Sequence, residues 1–144
     1  MGTSNPVTIT VEAIVQAPVE QVWTYWTEPE HITNWCAASD DWHAPRAEND
    51  LRAGGKFVTR MEAKDGSFGF DFGGIYDEVR RNEFIAYTME DGRKVTITFT
   101  SQGNATKVVE VFDAETTNPV EMQESGWQAI LNNFKTYSEG SKES

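Results

Sequence analysis

Met122, Gly126, Trp127, Ile130, Leu131, Phe134 and Tyr137 recur at helical spacing near the end of this chain, with Glu124, Gln128, Asn132 and Lys135 between them. Asn118-Pro119-Val120-Glu121 reads as the start signal for that helix. Asn118 caps, Pro119 sits in the first turn where its missing N–H costs nothing, and Glu121 reaches back to the cap. Almost everything from Val7 to this point alternates with a period of two, apart from one short helical stretch. A single long helix with one apolar face, laid against one large sheet, buries that face only if the sheet wraps around it. A wrapped sheet tends to enclose a cavity. Function is therefore expected inside the fold rather than on its surface.

The strands read off in order. Val7, Ile9, Val11, Ala13 and Val15 alternate with Thr8, Thr10, Glu12 and Gln16. Ala17-Pro18 opens a helix lined by Val19, Val22, Trp23 and Trp26, and Thr27-Glu28-Pro29-Glu30 reads as a capping box restarting a short helix to Trp35. Cys36 to Asp41 reads as loop. Strands follow near Trp42 to Glu48, from Lys56 to Ala63 with Phe57, Thr59 and Met61 on one face, and from Phe68 to Arg80. Gly73-Gly74 in the last of these predicts a bulge or sharp bend. Phe84–Met89, Lys94–Thr100 (Val95, Ile97 and Phe99 on one face) and Thr106–Asp113 complete the sheet. Asn49-Asp50, Asp65-Gly66, Asp91-Gly92 and Gly103-Asn104 mark turns. The expectation is an α+β fold: a seven-stranded antiparallel sheet around a long C-terminal helix, with two short helices after the first strand.

At 144 residues the chain reads as one domain, with an ordered core over about 7–138 and frayed ends at Met1–Pro6 and Glu139–Ser144. Five Trp, eight Phe and four Tyr carry much of the apolar area. A net charge of −11 with no cluster of Lys and Arg argues against a nucleic-acid partner. No apolar run is long enough to insert into a membrane, and no basic-then-apolar leader opens the chain. The lone Cys36 cannot form an internal disulfide, which fits a cytoplasmic location.

Several stretches carry a family resemblance. They are Ala17-Pro18 followed by Val22-Trp23, Trp26-Thr27-Glu28-Pro29-Glu30 through Trp35, and Asp50-Leu51-Arg52-Ala53-Gly54-Gly55-Lys56-Phe57. Phe70-Asp71-Phe72-Gly73-Gly74, Asp91-Gly92-Arg93 and Gly126-Trp127-Gln128-Ala129-Ile130-Leu131 follow in the same order. With these residues the chain resembles the activator-of-Hsp90-ATPase homology family of the Bet v1-like, START-related superfamily. The resemblance implies a helix-grip fold and a cavity between helix and sheet. Superfamily members bind lipids, sterols, polyketides or flavonoid-like molecules there, and some catalyse cyclisation or aromatisation. It also implies a link to an Hsp90-like chaperone or stress response. The namesake co-chaperone adds a separate Hsp90-contacting domain, for which 144 residues leave no room.

No catalytic signature stands out. No His or Cys pair has metal-ligand spacing, and there is neither a Gly-rich phosphate loop nor a Gly-x-Ser-x-Gly elbow, so no cofactor or metal is expected. Trp35, Trp42, Phe57, Phe70, Phe72 and Trp127 form an aromatic group. Singly each reads as core, but together such side chains fill space poorly and stack well on flat ligands. Met61, Ile97, Phe99, Met122 and Ile130 complete the apolar lining expected for a cavity, and Tyr87 offers a hydroxyl. His43 stands at a strand start, as a cavity-mouth residue or a surface one. Gly126 either admits a strand residue or leaves room for a ligand. Glu110 shares a strand face with Val108 and Phe112. Either it is buried as a polar anchor or base, or a register shift turns Val109 and Val111 inward instead.

The first reading is a protein that binds a small hydrophobic molecule in an internal cavity. The alternatives are an enzyme moving protons through Glu110 and His43 in the same cavity, or an interaction module tied to a chaperone.

Overall fold

The computed structural model describes residues 7–36, 41–115 and 118–140. The expected N-terminal fraying lies outside these residues, as does most of the loop expected after Cys36. The elements are β1 (Thr8–Val15), α1 (Val19–Thr27), α2 (Pro29–Trp35), β2 (Trp42–Asn49), β3 (Lys56–Ala63) and β4 (Gly69–Arg80). β5 (Phe84–Met89), β6 (Lys94–Gln102), β7 (Ala105–Asp113) and α3 (Val120–Gly140) follow. All seven strands form one antiparallel sheet in the order β1-β7-β6-β5-β4-β3-β2. Each strand from β2 to β6 pairs with the next in sequence, and only β1 pairs at long range, with β7. The sheet curls, and its concave face receives the helices.

The period-two pattern holds in detail. Ile9, Val11 and Val15 on β1, Val95, Ile97 and Phe99 on β6, and Val108 and Phe112 on β7 are all buried. Turn chemistry holds too: Gly92 and Gly103 take positive φ at the two hairpins flanking β6. Pro45 falls where the β2–β3 register shifts between His43 and Arg46. That strand is an edge, the one place in a sheet where a residue without an N–H is tolerated.

Four local expectations are corrected. The glycine pair of β4 makes no bulge: Phe57↔Gly74 and Val58↔Gly73 pair in unbroken register, and the irregularity falls between Tyr76 and Glu78. The glycines serve close approach instead. A Cβ on Gly73 would lie 2.5 Å from the Phe57 carbonyl oxygen, and one on Gly74 would lie 2.4 Å from that of Thr88. Both helix caps also differ. Thr27 donates its hydroxyl back to the Trp23 carbonyl at 2.8 Å, and α2 has no side-chain cap. Asn118 donates to the Glu115 carboxylate at 2.6 Å, while the first turn of α3 bonds to the Pro119 carbonyl. Finally, Met122 is 60% exposed, and α3 instead turns Gln123, Trp127, Ile130, Leu131, Phe134 and Ser138 inward. Helical geometry places residue 122 about 100° from residue 123, enough to carry it off the buried stripe. α3 also continues through Glu139 and Gly140, two residues into the end expected to fray.

Gly73→Ala is expected to cost about 1–3 kcal/mol, because its methyl group meets backbone atoms that cannot rotate away. Gly126 in α3 supplies the opposite case: nothing lies within 4 Å of its Cβ position. Ala there is expected to gain up to about 1 kcal/mol of helix propensity. Urea unfolding of both variants checks the pair of signs, and a neutral Gly73→Ala would remove close approach as the reason for glycine in β4.

Candidate functional site

The helices cover the concave face unequally. α3 packs along β1, and α2 packs against β2. Beneath α1 and the C-terminal half of α3 the interior is closed. Trp23 meets Phe99 edge-on at 5.3 Å, and Phe134 takes the edges of Trp26 and Trp35 at 4.8 and 4.9 Å. Over β3, β4 and β5 the face is left open, and a cavity of about 290 Å³ remains.

Four strands of the sheet, β3, β4, β5 and β7, and all three helices build its wall. β3 contributes Phe57, Thr59 and Met61, β4 contributes Phe70, Phe72 and Tyr76, and β5 contributes Ile85, Tyr87 and Met89. In each case every second residue faces in, as the pleat requires. Trp26, Ile32, Trp35 and Cys36 come from α1, α2 and the end of α2, and Gln123, Trp127 and Ile130 from successive turns of α3. Arg93, Glu110 and Glu115 complete the lining. The aromatic rings are held by one another and by hydrogen bonds. Trp127 stacks on Phe112 at 3.8 Å and presents its edge toward Phe72. Phe57 packs against Tyr76 and Tyr87 at 5.0 and 4.7 Å. Tyr76 donates to Asn49 Oδ1 at 2.6 Å, and Trp35 Nε1 donates to the Tyr25 carbonyl at 2.9 Å. Gln123 ties the chain entering α3: its amide oxygen accepts from the Glu115 N–H, and its NH₂ donates to the Glu115 and Asn118 carbonyls.

Glu110 is turned inward. Its neighbours in register are Val11 and Ile97, both buried, and the side chain is 5% exposed. Val109 and Val111 are only half-buried, so the shifted register is not adopted. Burial raises its pKa to about 8, and among the described residues no cation or donor offsets the cost of desolvation. Burial, then the Glu110 charge, pushes the Cys36 thiol up to about 12, and the same two causes raise Tyr87 well above the ordinary phenol range. At neutral pH all three protic groups are therefore mainly uncharged. Cys36 stays a thiol and is a poor nucleophile. The cation of the lining, Arg93, is 22% exposed and paired with Asp91 at 2.8 Å.

Of the residues singled out from sequence, Trp35, Phe57, Met61, Phe70, Phe72, Tyr87, Glu110, Trp127 and Ile130 are brought together around this cavity. Trp42, His43, Ile97, Phe99, Met122 and Gly126 are not part of its lining. Trp42 packs against Phe68 and Phe70 beside it, and His43 lies 3.8 Å from Glu62, with its side chain 44% exposed. Ile97 and Phe99 fill the closed core, where Phe99 meets Trp23 and Trp26. Gly126 faces open space, so it does not serve to admit a strand residue. Some missed residues were within reach of the alternation: Thr59, Tyr76, Ile85 and Met89 share faces with residues already chosen. Gln123 and Arg93 gave no such signal, since one is a polar residue on a helix and the other a turn residue.

Among the described residues no group of acids, His and Cys is placed to hold a metal, and no helix is long and apolar enough to cross a membrane. The family model for Activator of Hsp90 ATPase homolog 1-like protein matches residues 16–139. The solution structure of an AHSA1-like protein from Aeromonas hydrophila is 43% identical, with 94% of each chain covered and a TM-score of 0.89. A protein from Cytophaga hutchinsonii is 58% identical over 97% of this chain and 96% of its own, with a TM-score of 0.78. A protein from Nitrosomonas europaea, at 20% identity and a TM-score of 0.80 over 94% and 96% of the two chains, shows the fold alone. No curated protein matches the chain. Sequence and architecture agree: this chain belongs to the Activator of Hsp90 ATPase homolog 1-like family, within the Bet v1-like superfamily.

Proposed function

We propose that the protein binds a small, flat, largely apolar molecule in the cavity between β3–β5 and the helices. The observation that carries this reading is the void itself, walled by aromatic rings and holding a few polar groups at set positions. Protein interiors are normally packed without gaps larger than a water molecule, and an unfilled apolar space of this size forfeits contacts. At about 290 Å³ the cavity lies at the lower end of the range of small-molecule sites. It suits a molecule of two or three fused rings, such as a flavonoid-like or polyketide-like compound, better than a sterol. Thr59 is buried in the cavity wall, so Thr59→Phe places a ring where the ligand would sit.

A thermal-shift screen with naphthol, flavone and cholesterol tests the reading. A ligand at a hundred times its Kd adds about 2.7 kcal/mol of apparent stability. Naphthol or flavone is expected to raise the melting midpoint by about 5 °C or more, cholesterol is expected to have no effect, and Thr59→Phe is expected to abolish the shift. No shift with any aromatic probe would overturn it.

A second reading is favoured by one observation. Glu110 has its pKa close to neutrality inside a cavity it shares with Tyr87, which is where a proton-transfer enzyme needs its acid or base. His43, turned toward Glu62 and solvent, has no part in that reading. Conversion of a bound molecule, lost in Glu110→Gln with binding retained, would support it.

A further inference from the structure

Resting on the cavity-binding reading, we infer that the preferred occupant is an organic cation, an aryl-substituted amine whose ammonium group sits against Glu110. The charges around the cavity point one way. Its lining holds two acids, Glu110 and Glu115, and one cation, Arg93, which is already paired with Asp91. Glu110 itself is buried, with no cation among the described residues to offset it. The groups facing it from the surrounding elements are Cys36 at the end of α2, Tyr87 on β5 and, beyond Tyr87, Tyr76 on β4. α3 adds only the uncharged Gln123, Trp127 and Ile130. None of these supplies positive charge. The rings around the acid offer π faces and edges, and a cation held between aromatic faces and a carboxylate gains from both in a desolvated site. The net charge of −11 draws cations toward the molecule and repels carboxylated ligands of the same shape.

Binding then has a proton signature. In the free protein Glu110 is mostly protonated at neutral pH, and pairing with an ammonium group requires its carboxylate. The proton leaves to solvent, so affinity rises with pH until Glu110 is ionised without help, near pH 8. A neutral ligand of the same shape shows no such rise.

Three indoles that differ in one group provide the test: tryptamine, tryptophol and indoleacetate, titrated calorimetrically at pH 6, 7 and 8. Tryptamine is expected to bind at least about tenfold tighter than tryptophol at pH 7, and to strengthen by up to about tenfold per pH unit below 8. Indoleacetate is expected to bind weakest. Glu110→Gln should bring tryptamine down to the affinity of tryptophol and remove the rise of tryptamine affinity with pH. Tryptophol binding as tightly as tryptamine, or an amine preference that survives in Glu110→Gln, overturns the inference while leaving the cavity reading in place. Failure of all three indoles to bind overturns the inference, and the cavity reading falls with it only if naphthol and flavone fail as well.

Discussion

A chain ended before Asn118 is expected not to fold. α3 carries the fully buried Leu131 and Phe134 and the half-buried Trp127, Ile130 and Tyr137. Complete burial of one such side chain stabilises by roughly 1.5–3 kcal/mol, against a total of about 5–15 kcal/mol for a domain. The loss is larger than the helix alone. Without it Phe112 loses its stacking partner, Trp26 and Trp35 lose Phe134, and the inner face of β1 and β7 meets water. Circular dichroism of the truncated chain should show no cooperative thermal transition. A sharp transition with a near-native midpoint would show that the sheet does not depend on α3.

The second large effect is a gain. Glu110 in the folded protein keeps its proton up to about pH 8, whereas a free Glu releases it near 4.3. Between those values the folded state binds the proton that the unfolded chain has lost. Stability contributed by this group is therefore complete below the unfolded pKa and falls as pH rises, by about 1.4 kcal/mol per unit, until the folded-state value is passed. At pH 7 the cost is about 4 kcal/mol. Glu110→Gln keeps the shape of the protonated acid and removes the charge, so it should raise the melting midpoint at pH 7 by about 5–10 °C. Thermal melts of both forms from pH 4.5 to 8.5 should start close together and separate as pH rises, levelling above pH 8. The lowered pKa values of Glu62 and Asp65 act with the opposite sign and at lower pH, so they do not mask this window. Superimposable curves would mean that Glu110 is solvated and would remove it as a ligand anchor.

The two predictions separate roles within one stripe of side chains. Loss of Leu131 or Phe134 contacts weakens the closed half of the interior, where rings meet edge to face without a void. Glu110 stands where that packing gives way to the cavity, and its burial lowers stability at neutral pH. Stability given up at such a position is characteristic of a group kept for what it binds.

The local code accounts for most of the architecture. Alternation on β1, β3 and β6 named the buried faces, Asp-Gly and Gly-Asn pairs named the turns, and the helical stripe named α3. Each of these is a property of a few neighbouring residues, because side-chain direction repeats every two residues in a strand and every 3.6 in a helix. Long-range pairing decided the rest. Val108, Glu110 and Phe112 are of one parity, but only the pairing of Glu110 with Val11 on one side and Ile97 on the other puts an acid inside. Ile97, Phe99 and Tyr87 all read alike as inward-facing residues, yet two fill the closed core and one lines the cavity. What divides them is where the helices come to rest, α3 on β1 and α2 on β2. That placement depends on contacts between segments about a hundred residues apart in the chain, such as Gln21 with Ser138. Periodicity within a segment carries no record of it. The chain by itself determined the elements, the turns and the two faces of each strand, and only the tertiary structure decided which face of β7 points inward, which inward side chains meet one another and which are left facing an empty space.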